Sequence, residues 1–585
     1  MTEPSEHARR VVLARSVEGL PDSWSQAPGM ERLDQLLEHP KAAALIGGFR
    51  PDELHFIIHD IGLESCIDLL SHVTPEQWTG LVDFDGWRAD RVDLARFQDW
   101  FEAALKNQLE TAQALIQSAD PEYLIVVLRG IGEVYTKDLE LDEVPDSLEI
   151  LTSPDFAFYV LIPRGHERIS LVKQLLDVAY AISPDYGRKL LLACTIELPT
   201  ALEETCFKFR SGRLADLGYP DPEHAVEALA VVDVPSFRAR LLESLDSSEA
   251  TGPVVSQDLA VHGMVLAAAD RGPFLGEVLA VSSDANVAFN TAQALVYLAH
   301  RLLVATGADL GDPEANQWAH RRAVAHVSLG LERLAEGDPQ LGSRILKKTW
   351  INDLHRVGHT LVHSLQQRAR RVVVASGGAS GYRLHESALM DLLEALADEP
   401  PRRVEGMDAT GHPQRVFISS SEELHAVEEA LFRAEVVVAW FEGALGFSLE
   451  ALNAAGWADA TEDDRKHIRF SALLLTLLAN QTTGKGLVFE PVTSGGLDRF
   501  AQVILEEKNG RRVLRLQLIE RLSEGLLPGE TSGADSRARQ HIHAFVQGCF
   551  EDFAAAVADV PPGEPLDPRA LGGIVLHVTG SLGHG

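Results

Sequence analysis

The sequence predicts a mainly α-helical protein. We expect an irregular array of stacked helix pairs, solenoid-like in its N-terminal part, with a few short β-strands near the C-terminus. Three observations predict this fold: a helix-start motif recurs along the chain, apolar residues follow it at helical spacing, and segments rich in Gly, Pro and Ser separate the helical blocks.

The helix-start motif is Ser, Thr or Asp, followed by Pro and then by Asp or Glu. The first side chain accepts a hydrogen bond from a free backbone N–H at the start of a helix. Proline suits the first helical position because its missing N–H is not needed there, and the acidic residue is stabilised by the positive end of the helix dipole. The motif begins at Thr74, Asp120, Ser153, Ser183, Asp221 and Asp312.

The segments next to these motifs carry apolar residues on one face of a helix. After Asp120, this face contains Leu124, Val127, Leu128 and Ile131. In the first part of the chain the motifs are about 30 to 46 residues apart, which is the length of a helix pair. This spacing favours helical hairpins that stack on one another.

The chain divides into a tail and four helical segments. We expect a flexible tail at 1–25, an N-terminal helical repeat domain at 26–145, a second helical segment at 146–245, a central helical domain at 246–398, and a C-terminal helical domain with short strands at 399–585. The breaks KDLELDEVPDSLE and ADEPPRRVEGMDATGHPQ lie near two of these boundaries. In the last segment, GLVFEPV and GIVLHV have the composition of short strands that can pair.

Length and charge limit the classes of partner. The 585 residues carry a formal net charge of −34, and 45% of them are hydrophobic. A surface this acidic repels phosphate backbones and anionic lipids, which argues against general nucleic-acid binding. No window approaches the apolar length that crosses a bilayer, so membrane insertion is not expected.

The cysteines and the N-terminus indicate the compartment. Cys66, Cys194, Cys206 and Cys549 form no CxxC pair, which argues against a disulfide framework or a zinc ribbon. The opening MTEPSEHARRVVLA lacks the apolar core of a signal peptide. We therefore expect a cytoplasmic protein.

Three histidines in LHRVGHTLVHSL are the first candidate site. His355, His359 and His363 are four residues apart, so each step turns about 40° and the three share one helical stripe. An i, i+4 histidine pair on a helix suits a divalent transition metal. The Glu of an HExxH site is absent, however, and the apolar residues lie on the opposite face: Trp350, Leu354, Val357, Leu361 and Leu365. A polar helix face, or histidines packed between two layers, is the alternative interpretation.

Two groups of arginines are further candidate polar sites. In FRSGRLADLGYPDPEHAVEAL, Arg210 and Arg213 precede a bend between two helices, and a bend does not need two cations. They predict a polar site, or bonds to helix-end carbonyls and neighbouring acids. In QQRARRVVV, Arg368, Arg370 and Arg371 either complement a helix C-terminus or dock an acidic partner.

Several of these stretches resemble an uncharacterised bacterial family, known only as a domain of unknown function. They are RSGRLADLGYPDPEHAVEAL, HDIGLESCIDLLSHVTPEQWTGLVDFDGWRADRVD and LHRVGHTLVHSLQQRAR. The resemblance covers the chain from about residue 40 onward. It implies a cytosolic bacterial protein, and it brings no activity or catalytic residue with it.

The N-terminal helices also resemble known interaction modules. PDELHFIIHDIGLESCIDLLSHVTPEQWTGLV is similar in rhythm to the cytosolic superhelical domain of magnesium channel-transporters and to flagellar motor-switch helical repeats. This resemblance implies an interaction or regulatory role.

The sequence favours a scaffold or regulatory adaptor without catalysis, because it contains helix pairs and no complete catalytic motif. We expect a protein partner and no resident cofactor, with a homo-oligomer left open. The alternative is a metal-dependent enzyme or metal sensor that uses His355, His359 and His363. A third alternative is a small-ligand sensor with a pocket between helical layers.

Overall fold

The structure is a computed structural model that divides the chain into two compact units, Met1–His359 and Thr360–Gly585. The predicted tail at 1–25 lies outside the described residues apart from Trp24, and the division into five segments stays a prediction. The described residues are 24, 27–88, 91–138, 144–246, 272–282, 285–408, 410–454, 467–508, 511–527, 533–558, 560–561, 564–566 and 573–576.

The N-terminal unit is built mainly from helices, as the sequence predicts. Consecutive helices such as α9 and α10, and α15 and α16, contact each other along their lengths. The last helix of this unit, α18, continues into the C-terminal unit. The helices are α1 (Gly29–Leu37), α2 (Ala42–Ile46), α3 (Pro51–Ile61), α4 (Ile67–Leu70), α5 (Pro75–Asp85), α6 (Leu94–Leu105), α7 (Leu109–Ser118), α8 (Pro121–Ile131), α9 (Ile169–Ile182), α10 (Pro184–Ile196), α11 (Pro199–Asp216), α12 (Pro222–Ala225), α13 (Val234–Asp246), α14 (Pro273–Val281), α15 (Ala285–Ala305), α16 (Pro313–Ala335), α17 (Pro339–Lys348) and α18 (Ile351–Ala375).

Five of the six predicted helix starts begin helices. In each, the predicted proline is the first helical residue. In α5 and α10 the residue before the proline also accepts the expected hydrogen bond from a backbone N–H in the first turn. The five starts are at Thr74, Asp120, Ser183, Asp221 and Asp312.

The sixth predicted start, at Ser153, is wrong, because it joins two strands. The Ser153 hydroxyl accepts a hydrogen bond from the Phe158 backbone N–H at 3.0 Å and donates one to Asp155 at 2.7 Å. Serine, proline and aspartate serve a turn as well as a helix start, and here the flanking residues prefer strands.

That turn belongs to a three-stranded antiparallel sheet in the N-terminal unit, which the sequence analysis missed. Its central strand is β5, and its order is β3-β5-β4. A separate pair, β1 and β2, forms a small ribbon after α5. The strands of this unit are β1 (Trp87–Arg88), β2 (Arg91–Val92), β3 (Glu133–Thr136), β4 (Leu148–Thr152) and β5 (Phe158–Pro163).

The N-terminal unit has two buried hydrophobic clusters. The first is formed by α1–α11 and the sheet, and it is rich in aromatic side chains such as Trp78, Trp87 and Trp100. The second lies among α14–α18 and includes Leu214 and Tyr219 from the chain around the α11–α12 bend. The bend that follows Arg210 and Arg213 therefore lies where the two clusters meet.

The C-terminal unit is also mainly helical, and its described residues include two strand pairs. Strand β6 pairs with β7, and β8 pairs with β9, both antiparallel. Its elements are α19 (Ser387–Ala397), β6 (Arg403–Met407), β7 (Pro413–Val416), α20 (Ser421–Gly443), α21 (Leu449–Ala454), α22 (Phe470–Thr482), α23 (Ser494–Ile504), β8 (Leu505–Lys508), β9 (Arg511–Leu514), α24 (Leu516–Leu526) and α25 (Gly533–Val557). The mainly α-helical fold with short strands near the C-terminus is thus confirmed.

The two predicted strand segments GLVFEPV and GIVLHV meet at one point. The Val492 backbone N–H donates to the Leu576 carbonyl oxygen at 2.8 Å, and the Leu576 N–H donates to the Thr476 hydroxyl at 2.9 Å. These two hydrogen bonds join Leu576 to the segment just before α23 and to the middle of α22. Residues 573–576 therefore hold the segment before α23 and helix α22 together.

Within the part of the chain that the structure covers, none of the helices combines the length and the apolar character that crossing a membrane requires.

Candidate functional site

Two of the three predicted metal-binding histidines are buried in the N-terminal unit. On α18, His355 is fully buried and His359 is 5% exposed. Their rings stack with centroids 6.0 Å apart, and the ring of His326 on α16 lies 5.1 Å from that of His355. We call these three residues the histidine cluster. Of the two interpretations of the stripe, packing between two helices applies to them, whereas Trp350 from the predicted apolar face is 59% exposed.

Glycines bring α16 and α18 into close contact beside the histidine cluster. A Cβ atom on Gly358 would overlap the carbonyl oxygen of His326, and one on Gly330 would overlap the carbonyl oxygen of Leu354. An approach this close between two backbones leaves room only for glycine. The crossing encloses histidines that the helical wheel places on a polar face.

Burial disfavours the protonated form of two histidines in the cluster. Burial, reinforced by neighbouring positive groups, lowers the pKa of His326 and of His355 well below the usual value for histidine. His355 Nδ1 lies 3.1 Å from the Ala228 carbonyl oxygen, and since that oxygen can only accept, Nδ1 carries the proton.

His363 makes contacts within the C-terminal unit. Its Nδ1 lies 3.2 Å from the Gln366 side-chain oxygen, and its Nε2 lies 2.9 Å from the Gln367 amide nitrogen. Among the described residues, no group of three or more His, Cys, Asp or Glu side chains is placed to hold a metal ion. The metal site on His355, His359 and His363 therefore stays a prediction, and we derive no chemistry from it.

Arg213 completes a buried polar cluster in the N-terminal unit. Its Nε lies 2.6 Å and its Nη2 lies 2.9 Å from the two carboxylate oxygens of Asp83, which is fully buried. The Tyr123 hydroxyl donates to the same carboxylate, and Arg213 also pairs with Asp120 at 2.9 Å. The sequence expectation of bonds to neighbouring acids therefore describes this arginine.

Arg210, one turn before Arg213, has a different environment. Its Nε donates to the Asp83 carbonyl oxygen at 2.8 Å, and its guanidinium carbon lies 5.2 Å from the Trp87 ring centroid. The side chain is only 7% exposed, and burial lowers the pKa of Arg210. Among the described residues it forms no ion pair, because Arg213 holds the Asp83 carboxylate.

Arg210 lines a pocket of about 220 Å³ between α11, the bend before α12 and the end of α15. Aromatic rings form much of its wall, and Asp309 lies at another side. We call it the arginine pocket. Its main lining residues are Trp87, Phe207, Arg210, Tyr219, Ala308 and Asp309.

The arginines near the C-terminus of α18 are engaged within the C-terminal unit. Arg368 forms a two-pronged pair with Glu435, at 2.9 and 2.8 Å. Arg370 donates to the Ala397 carbonyl oxygen at 2.9 Å, and Arg371 donates to its own helix. Arg368 is thus paired and Arg370 is bonded to the carbonyl oxygen at the end of α19, and docking of an acidic partner on these arginines stays a prediction.

A larger groove in the C-terminal unit was missed by the sequence analysis. It has a volume of about 1040 Å³ and runs between β9, α24 and α25. Four cations line it together with two carboxylates, those of Glu506 and Glu551. Within the described chain none of the four cations forms an ion pair, but Arg512 donates to the Pro561 and Glu564 carbonyl oxygens at 2.8 Å, and Arg515 donates to the Leu505 carbonyl oxygen at 2.9 Å. Leu516 beside them is 74% exposed. We call it the basic groove, and its cations are Lys508, Arg512, Arg515 and Arg521.

One sequence signal locates the basic groove. The segment LEEKNGRRVL has Asn-Gly between two runs of strand-forming residues, which is the strongest short hairpin signal. In the structure Lys508 pairs with Arg511 across those two positions. Predicting this hairpin would have placed the following helix, which carries Arg521, beside it.

Comparisons with known proteins identify the family alone. A search of curated proteins and a search of solved structures each returned no significant match. A family profile, by contrast, matches residues 14–577, and its description is a family of unknown function. That match covers nearly the whole chain, as the sequence resemblance implied, and the protein belongs to this family of unknown function, DUF6178.

Proposed function

We propose that the protein is a cytoplasmic, non-catalytic helical adaptor that binds an acidic amphipathic segment of a partner protein. The observation that carries the proposal is the basic groove, which is lined by an exposed leucine, Leu516, and by four cations without an ion-pair partner among the described residues. The four free and buried cysteines agree with a reducing compartment.

Charge favours an acidic occupant. The chain as a whole carries a net charge of −34, so a surface with more cations than carboxylates stands out from the rest. Complementary charge steers association and selects partners, and unpaired cations at a groove rim gain from opposing carboxylates. Glu506 and Glu551 in the same lining disfavour a partner as highly charged as a nucleic acid.

Shape and apolar surface favour an amphipathic segment. Leu516 is 74% exposed at the start of α24, and a leucine this exposed gains by burial against a partner. The end of α25 and the residue after it present Ala554, Ala555 and Ala558, whose small side chains leave room for a helix or an extended strand. Binding of an amphipathic helix in such a groove is a recurring mode of peptide recognition.

The test measures binding of a synthetic peptide by fluorescence anisotropy. The probe is a labelled amphipathic peptide of about 15 residues with leucines at helical spacing and glutamates between them. We expect it to bind the protein at about 50 mM salt and to bind less tightly at about 300 mM, because salt screens the charges. A peptide with lysine in place of glutamate should not bind.

Variants locate the binding. Leu516→Ser should weaken it at least tenfold, since burying a leucine contributes roughly 1.5–3 kcal/mol. Arg521→Glu should weaken it several-fold and reduce its salt dependence. The matched control is Arg511→Glu, which changes an exposed arginine on the same ribbon outside the groove lining. Equal binding by all three variants, or no binding by the wild type, would refute the proposal.

The same variants discriminate between partners. We expect a protein captured from the native lysate by the wild type and by Arg511→Glu to be absent with Leu516→Ser. If the captured protein is the chain itself, light scattering will show a dimer that Leu516→Ser dissociates. That outcome would replace the heterologous partner by a second copy.

A further inference from the structure

We propose that the arginine pocket binds a small organic monocarboxylate with a flat apolar body, held by Arg210. This site belongs to the N-terminal unit and does not depend on the basic groove. It is a ligand site beyond the proposed adaptor function.

Arg210 is a buried cation without a matching anion. Its side chain is 7% exposed, and the nearest carboxylate on the helix side, Asp83, is held by Arg213 and Tyr123. The described residues supply one acceptor, the Asp83 carbonyl oxygen, and it takes only the Nε–H. Burying an ionised group without a counter-ion is strongly unfavourable, and a bound carboxylate would offset that cost.

The guanidinium is held in place before any ligand arrives. Its Nε is fixed by the Asp83 carbonyl oxygen, and the Trp87 ring lies against it at 5.2 Å. The two terminal nitrogens make no hydrogen bond to the described residues, so the outer end of the planar guanidinium is available to bind a ligand. That end matches the two oxygens of a carboxylate.

The walls suit a flat apolar body. Trp87, Phe207 and Tyr219 contribute aromatic rings, and Tyr219 is itself held by ring stacking on His300, with centroids 3.9 Å apart. The volume of about 220 Å³ is below the range of about 300–1,000 Å³ that is typical of pockets for drug-sized ligands. A single aromatic ring with a short acid group is therefore the right scale.

Carboxylates in the lining select a single negative charge. Asp309 already bonds Arg96 at 3.2 Å and the Gly311 backbone N–H at 3.1 Å. Asp221 is exposed at the edge of the pocket. Because Arg96 already neutralises Asp309, a monoanion matches the single charge of Arg210, whereas the second charge of a phosphate dianion would be repelled by the nearby carboxylates.

The experiment titrates benzoate into the purified protein by isothermal calorimetry. Phenylacetate is the second anion, and benzamide is a neutral molecule of the same shape as benzoate. We expect at least one of the two anions to bind and benzamide to bind at least tenfold more weakly. Inorganic phosphate should not compete.

Two variants assign the site. Arg210→Gln removes the cation and should weaken benzoate binding at least tenfold. Ala308→Leu keeps the cation and fills the pocket, and it should abolish binding even if Arg210→Gln folds poorly. The control is Lys208→Gln, an exposed cation on the same helix that pairs with Glu204, and it should bind as the wild type does.

The proposal is overturned by any of the following results. They are an absence of binding by both anions, equal binding of benzamide and benzoate, and unchanged binding in Ala308→Leu. Competition by phosphate would replace the carboxylate by a phosphate ligand and would equally contradict the argument from charge.

Discussion

The crossing of α16 and α18 makes a sharp prediction for Gly358→Ala. The new Cβ would overlap the His326 carbonyl oxygen and lie 2.8 Å from its carbonyl carbon, where ordinary contacts begin at 3.4 Å. Overpacking of this kind costs about 1–3 kcal/mol, and we expect the upper end because backbone atoms cannot rotate away. Replacing a helical glycine by alanine also stabilises the helix by about 1 kcal/mol. The expected net loss in the free energy of unfolding is thus about 2 kcal/mol.

The assay is urea denaturation followed by circular dichroism, with Gly212→Ala as the matched control. Gly212 lies inside α11, is exposed, and has no atom within 4 Å of the position that an added methyl group would take. There the same exchange should stabilise the protein by about 0.5–1 kcal/mol. If Gly358→Ala unfolds at the same urea concentration as the wild type or a higher one, the close helix contact is wrong.

Three further predictions concern buried polar groups. Arg213→Met should lower the free energy of unfolding in urea by about 3 kcal/mol, and adding Asp83→Asn should restore part of that loss. We expect the low end of the range for breaking a buried ion pair because the Arg213 side chain is 31% exposed. Burial lowers the pKa of His300 to about 3, so the unfolded chain takes up the proton first and stability should fall as the pH drops from about 6.5 towards 3. In His300→Gln the free energy of unfolding should fall less steeply with decreasing pH, by on the order of 1 kcal/mol per pH unit. An unchanged pH profile of stability would contradict this prediction. Burial also raises the pKa of the four cysteine thiols, to about 12 for Cys66 and Cys194; the other two are Cys206 and Cys549. Ellman's reagent at about pH 8 should therefore modify the cysteines only after urea is added. Fast labelling of the native protein would refute their burial.

Local chemistry made the helices predictable. A cap residue followed by proline fixes a helix start through atoms within one turn, and this is why Thr74 and Asp312 can be located without tertiary information. The same letters at Ser153 form a turn, because the strands on both sides of it are stabilised by pairing with distant residues.

The sites were less predictable because their environment comes from other elements. Periodicity places His355 and His359 opposite the apolar stripe, but a neighbouring helix crosses at Gly358 and buries them. Arg210 and Arg213 stand out in the sequence as an excess of charge at a bend. Only the fold shows that Arg213 takes the Asp83 carboxylate while Arg210 faces a pocket.

The hydrogen bonds made by Leu576 predict the effect of alleles that truncate the chain. Residues 573–576 tie Val492 and Thr476 together, so their loss leaves a backbone N–H of the C-terminal unit without its acceptor. A premature stop codon just before Leu576 would remove a very small part of the sequence. We nevertheless expect such alleles to lower the cellular level of the protein, through proteolysis of a loosened unit.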